Sequence, residues 1–421
     1  MNSNKFWAAM GKAFAVVTVT LLVTLVFAPN AGAASKYKVL HAFSGGDGEQ
    51  PRADLVFDAA GNLYSTTAAG GIGSCWVYGG NGCGTVFKLA PNPDGSWTES
   101  VLYRFTGGED GANPWSTPVF DAAGNLYGTT MYGGTYGYGT VYTLVPNPDG
   151  SWTQSVLYSF MGGTDGNQPY TLAFDTAGTL YGTTWYGGTY GYGTVYTLVP
   201  NPDGSWTQSV IYSFTGGKDG GYLLRDCGLT FDAASNLYSA ALSGGAYGYG
   251  VTFELTPKSG GGWKEKVLHT FVGTPAKVPA YAPIFDAAGN LYGTTSAGGT
   301  QDAGTIYKLT PASAGKWTYK VIHIFNVSNG ADPLWIKFDT AGNLYGTTYG
   351  GGTVGCEGTC GTVYKLTPNP DGSWKETIVH RFKGSDGGQP EGLVLDSAGN
   401  LYGLTAYYGA YGAGVVFEIT P

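Results

Sequence analysis

Charge is scarce in this sequence. Only 12% of its 421 residues are Asp, Glu, Lys or Arg, the basic ones form no cluster, and the formal net charge is -8. Electrostatic binding to nucleic acid or to anionic lipid needs clustered Lys and Arg, so neither is an expected partner. Helical periodicity is also missing: after residue 30 no long stretch places apolar residues at i, i+3, i+4 and i+7. The chain has 4 His and 5 Cys, with no Ser/His/Asp grouping and no spaced ligand set, so no catalytic residue, metal or cofactor is assigned. After the N-terminal segment no second apolar run occurs, and no membrane span is expected in the mature chain.

The first residues do carry one apolar run. Lys5 and Lys12 lie in a polar start, Ala13 to Ala28 reads AFAVVTVTLLVTLVFA, and PNAGAAS follows. That order is the pattern of a secretory signal, with cleavage after Ala33 placing Ala31 and Ala33 at the small-residue positions. The run is shorter than the ~20 residues of a spanning helix. The expectation is a signal peptide over 1–33 and a secreted or periplasmic chain over 34–421, two charge units more acidic once Lys5 and Lys12 are gone.

Glycine (72) and tyrosine (32) are plentiful, and they recur in order. The word F-D-x-A-x-x-L-Y begins at Phe57, Phe120, Phe174, Phe231, Phe285 and Phe338, and returns at Leu395 as LDSAGNLY, at spacings of 63, 54, 57, 54, 53 and 57 residues. Each copy continues with a segment like NLYGTT, a Gly-rich connection, a segment like GTVYKLTP, a turn like NPDGS and a segment like WTQSVLYSF. Four short segments rich in Val, Thr and aromatics, separated by turn residues, read as four antiparallel strands, named A (ending in FD), B, C and D. One such sheet cannot bury both faces alone, so the copies must stack, and radial stacking gives an all-β, seven-bladed β-propeller. The seventh copy stops after strand C, while KYKVLHAF at Lys36 to Phe43 matches the strand D segment KEKVLHTF at Lys264 to Phe271. The N-terminal strand is therefore expected to complete the last blade and close the ring.

The words GNLYGTT, GTVYKLTP and FxGxDGxxP resemble the GloVer tandem repeats of exported bacterial "choice-of-anchor" proteins over essentially the whole mature chain. That resemblance implies a secreted propeller with no established activity; unlike family members with varied anchors, this chain is expected to lack a C-terminal sorting tail. D-x-x-G-N-L-Y also resembles NHL-type propeller repeats, although their V-A-D after the turn is G-T-T here.

Asp121 to Asn125, DAAGN, offers oxygen atoms, but its sevenfold recurrence and Gly-Asn ending read as a hairpin turn rather than a metal loop. All four histidines, His41, His269, His323 and His380, share one position in strand D with Tyr103, Tyr158 and Tyr212. Alternation puts that ring on the face of its flanking Val or Ile and Phe, as a packed ring with one hydrogen bond. The B–C connection is longer in copies one and six, and those insertions hold Cys75 with Cys83 and Cys356 with Cys360, read as two local disulfides. Cys227 is left over, read as buried.

In an up-and-down meander the tight A–B and C–D turns share one end of the blades. The variable B–C loops share the other end with the D–A connections. That second end would carry Tyr132, Tyr136, Tyr138, Trp185, Tyr186, Tyr190, Tyr192, Tyr247, Tyr249, Tyr408 and Tyr411, with Asp47, Asp110, Asp165, Asp219 and Asp386 nearby. Tyr and Trp combine wide apolar contact with a polar edge, which suits a glycan or an extracellular protein. The reading that follows is an exported, monomeric, non-catalytic propeller that binds through this end. The alternatives are a polysaccharide lyase or hydrolase, with Arg225, Asp226 and Lys277 as the non-repeating polar candidates, and a passive surface component.

Overall fold

The Asp-x-x-Gly-Asn word folds as a self-satisfied turn. Asp58 Oδ1 accepts the N–H groups of Ala60 and Asn62, both at 2.9 Å, and Oδ2 accepts Asn62 Nδ2 at 2.7 Å and the Tyr64 hydroxyl at 3.0 Å. Asp121, Asp232 and Asp396 repeat this set. The carboxylate is fully used, so the sequence reading of a turn holds. In the NPDGS turn, Asp94 Oδ1 likewise accepts the Ser96 N–H at 2.9 Å and the Ser96 hydroxyl at 2.6 Å.

A computed structural model describes residues 35–77, 79–223, 228–352, 356 and 360–421; the expected signal peptide lies outside them. They form seven antiparallel blade sheets and one small two-stranded hairpin; in the third blade, strands A to D are Asn167–Phe174, Leu180–Tyr186, Thr194–Pro200 and Trp206–Ser213 in that spatial order. Among the described residues the one helical turn is Ser313–Gly315. The N-terminal strand Lys36–Ala42 pairs with Val415–Thr420, Lys36 opposite Thr420, and so supplies strand D of the seventh blade. Strand A is innermost, because strand A segments of six blades meet around one axial cavity.

One backbone contact locks every blade to the next. Gln50, Asn113, Gln168, Tyr222, Val278, Asp332 and Gln389 all sit at φ between 53° and 60°, a strained region for residues with a Cβ. Each donates its N–H to the last B–C loop residue but one of the preceding blade: Ala413, Cys83, Tyr138, Tyr192, Tyr249, Ala303 and Cys360, at 2.8–3.0 Å. A ring of seven identical bonds leaves no free sheet end.

The expectation that the strand D His or Tyr shares a face with the preceding Val is wrong. In all seven blades the C–D register shifts one residue before this position, for example between Val39 and His41. The bulge turns the second half of the strand over. Residues before it face the previous blade and residues after it face the next, so each outer strand seals two seams. At these seams Tyr37 stacks on His380 at 4.0 Å and Tyr319 on His269 at 3.8 Å. Glu376 lies 3.6 Å from His323.

The variation between NLYGTT and NLYSTT has a packing cause. A Cβ on Gly128 would lie 2.3 Å from the Tyr142 hydroxyl, and Gly182 and Gly293 meet Tyr196 and Tyr307 in the same way. Ser65 and Ser239 stand opposite the shorter rings Phe87 and Phe253, although Gly403 is retained opposite Phe417, whose Cζ would lie 2.4 Å from a Cβ there.

Candidate functional site

The B–C loops hold their shape through glycine. In TYGYG, Gly137 and Gly139 have φ of 84° and 98°, and a Cβ on Gly139 would lie 2.4 Å from the Thr130 carbonyl. The tyrosines between them divide into two kinds. Tyr138, Tyr192 and Tyr249 give their carbonyls to the ring of interblade bonds, and their rings lie over Gly162, Gly216 and Gly273, where any Cβ would come within 2.9 Å. These are anchors. Tyr136, Tyr190, Tyr247 and Tyr411 instead stand at the loop tips and are 55%, 57%, 63% and 69% exposed.

In the first blade the Cys75–Cys83 disulfide takes the anchor's place, with Cys75 Sγ 2.5 Å from where a Gly107 Cβ would be. The inserted hairpin beyond it, Trp76–Val77 with Gly80–Asn81, raises Trp76 to 77% exposure. Trp76 escapes a repeat-based reading because no other copy has a residue there. With it, the consecutive blades seven, one, two, three and four each present one ring more than half exposed at the same end, beside the less exposed Tyr132, Tyr138, Tyr186 and Tyr249. The second expected disulfide, Cys356–Cys360, is also formed.

The remaining expected residues are less exposed than the loop-tip rings. Tyr132 and Tyr186 are 37% and 39% exposed. Trp185 packs 5.7 Å from both Tyr170 and Tyr186, Tyr186 lies 5.5 Å from Tyr222, and Tyr408 packs against the Cys356 cluster. The Asp residues of the D–A connections are engaged locally: Asp47 with His41 at 2.9 Å, Asp110 with Tyr103, Asp165 with Tyr158, Asp219 with Tyr212 and Asp386 with His380. One seam brings potential ligand atoms of His41, Asp47 and Glu99 within 4.8 Å of one another. The neighbouring seam holds Tyr103, Asp110 and Gln154 in that arrangement, which identifies it as seam packing.

Non-repeating polar chemistry is found on the axis, at residues the sequence reading missed. Arg52 Nη1 pairs with Glu391 Oε1 at 3.3 Å, the side chains being 3% and 2% exposed. The guanidinium also donates to the Tyr407 hydroxyl and lies 5.1 Å from the Trp115 ring centre and 4.9 Å from that of Tyr407. Trp115 continues to Tyr170 at 6.3 Å, forming a buried collar at the B–C end of the channel. Arg225, Asp226 and Cys227 lie outside the described residues, and Lys277 pairs with Asp302 at 2.9 Å on its own blade.

Further along strand A, towards the A–B turns, lies a cavity of about 560 Å³ including its open mouth. Asp54, Thr117, Thr171, Leu172, Tyr281 and Trp335 line it. Asp54 is 9% exposed, and burial pushes its carboxyl up to about 7, with Lys337 acting in the opposite direction. Asp54 Oδ1 accepts the Leu55 N–H at 2.8 Å.

Two solved propeller-containing proteins resemble this chain at TM-scores of 0.51 and 0.53. The first is the extracellular domain of the hybrid two-component system BT3049 of B. thetaiotaomicron, 11% identical over 92% of this chain and 41% of its own. The second is PorZ, a surface component of the type-IX secretion system of Porphyromonas gingivalis, 14% identical over 90% of this chain and 47% of its own. This chain thus spans less than half the length of either, and at such identity the likeness concerns the fold. No curated protein matches the sequence. The Gloeobacter/Verrucomicrobia repeat matches twice, over residues 25–230 and 225–421, and those matches together contain all seven copies. The chain belongs to the Gloeobacter/Verrucomicrobia repeat family.

Proposed function

We propose that this protein is an exported, non-catalytic binding propeller that holds a neutral glycan on the aromatic arc of its B–C/D–A end. The observation that carries the reading is the run of rings more than half exposed, Tyr411, Trp76, Tyr136, Tyr190 and Tyr247, on five consecutive blades. A flat ring with a polar edge stacks on the C–H face of a sugar and tolerates water around it. The disulfides and the apolar N-terminal run support export, as does the surface location of the two similar proteins.

Isothermal titration against soluble neutral polysaccharides tests the reading. Replacing Trp76, Tyr190 and Tyr247 with Ala should weaken binding by about tenfold or more, since each stacked aromatic contributes about 0.5–1.5 kcal/mol beyond its area. Raising salt from about 50 to about 500 mM should leave the affinity unchanged, because no charge pair is involved. Binding that survives the triple substitution, or that disappears in salt, would rule the arc out.

A further inference from the structure

We propose that the axial cavity is a binding site for a small organic ammonium ion, with Asp54 as its counter-ion. This site is separate from the aromatic arc and does not depend on the glycan reading.

Three observations carry it. First, Asp54 is buried to nine-tenths, yet its contacts use only the backbone and Oδ1; its N–H donates to Thr117 Oγ1 at 2.8 Å and its carbonyl accepts from Ser65. Oδ2 has no hydrogen bond and no ion pair among the described residues, and the carboxyl lines the cavity. A buried carboxylate left open is costly unless a cation or donor meets it. Second, the walls are mostly apolar, with Val119, Leu172 and Leu229 beside the rings of Tyr281 and Trp335. Two threonine hydroxyls and one carboxylate are too few to satisfy the many hydroxyls of a sugar, but they suit the three N–H donors of one ammonium group. Third, the Trp335 ring already has a cation over it: Lys337 Nζ lies 5.3 Å from its centre. Lys337 acts on Asp54 through its charge, from beyond ion-pair distance. Among the described residues, the remaining charged groups nearby, Arg52 and Glu391, neutralise each other one step up the axis. Tyr281 is the other titratable wall group.

Binding an ammonium requires the ionised carboxyl. Because burial raises the Asp54 pKa to about 7, affinity should be full above that pH and fall about tenfold per unit below it. The probes are methylammonium and phenethylammonium, with 2-phenylethanol and glucose as neutral controls, measured by isothermal titration on the full chain. Phenethylammonium should bind at least about 30-fold tighter than 2-phenylethanol, and Asp54→Asn should remove that difference, as expected for a hydrogen bond to a charged group. Asn keeps the Oδ1 acceptor used by Leu55, and Lys337→Gln, which removes the competing cation, should tighten binding several-fold. If Asp54→Asn fails to fold, the pH profile of the unaltered chain decides. Equal affinity for ammonium and alcohol, a flat profile between about pH 5.5 and 8, or no ammonium binding at about 10 mM would each overturn the proposal. Loss of ammonium binding would leave the arc untouched, and loss of polysaccharide binding would leave the cavity untouched.

Discussion

The outer seams and the axis are built from the same seven repeats but vary in different ways. At the seams, the strand D residue that reaches the previous blade is Tyr37, Glu99, Gln154, Gln208, Glu265, Tyr319 or Glu376; five of them meet a His or Tyr, while Gln154 and Gln208 donate to the Asp110 and Asp165 carbonyls. The partners change while the contact persists. On the axis, the residue two after the strained left-handed position is Arg52 in the first blade, Trp115 in the second, Tyr170 in the third, Ala280 in the fifth, Leu334 in the sixth and Glu391 in the seventh. Of those side chains, Arg52, Trp115, Tyr170 and Glu391 combine into one asymmetric cluster that no single repeat contains. Repeating positions therefore report packing, and the position where the repeat fails reports chemistry specific to this chain.

Breaking the axial cluster should have the largest effect. Arg52→Ala would remove the cation paired with the buried Glu391 carboxylate and should cost about 3–5 kcal/mol in denaturant unfolding. Arg52→Met combined with Glu391→Gln should cost much less, because both buried charges are then removed together. A single substitution no worse than the double would show that the pair carries no coupled stability.

The seams sharpen the comparison through pH. Burial, followed by the charges of Asp47 and Asp219, pushes the Glu99 and Glu265 carboxyls up to about 7, with Arg104 opposing at Glu99. Because these folded values exceed the ordinary 4.5, the protonated carboxyls contribute stability below about 4.5 that is lost as pH rises through about 7. Burial lowers His269 and His323 to about 4, so their contribution has the opposite sense: it is full above 6.5 and lost as pH falls towards 4. Total stability mixes the two, so the difference between variants is the clean measurement. Glu99→Gln with Glu265→Gln, copying Gln154 and Gln208 of the neighbouring seams, should raise Tm relative to the unaltered chain at about pH 8 and have little effect near about pH 4.5. A Tm gain that does not grow with pH would contradict the assignment.

Most of the fold was legible because each copy of the repeat corroborates the others. Seven turns of one composition, seven pairs of strand words and a displaced strand D leave little freedom in blade number or closure. The strand D bulge was not legible, since it adds no distinctive residue and reverses an alternation that looks regular in letters. Arg52 and Glu391 could have been found by reading the residue after proline in QPR, NPW, QPY, VPA, DPL and QPE, the variable point in an otherwise constant word. Their pairing, however, joins the first blade to the last and needs the closed ring. TYGYG hid its division of labour for another reason: the tip and anchor tyrosines have the same chemistry, and only the glycine beneath the second one distinguishes them.

That division gives the most direct test of the binding account. One glycan array, read alongside thermal melts, would compare a tip variant with Tyr136, Tyr190, Tyr247 and Tyr411 changed to Ala against an anchor variant with Tyr138, Tyr192 and Tyr249 changed to Ala. The account predicts that the tip variant loses glycan binding with each exposed site costing less than about 0.5 kcal/mol, while the anchor variant melts earlier. A tip variant that retains the full binding pattern of the unaltered chain would contradict it.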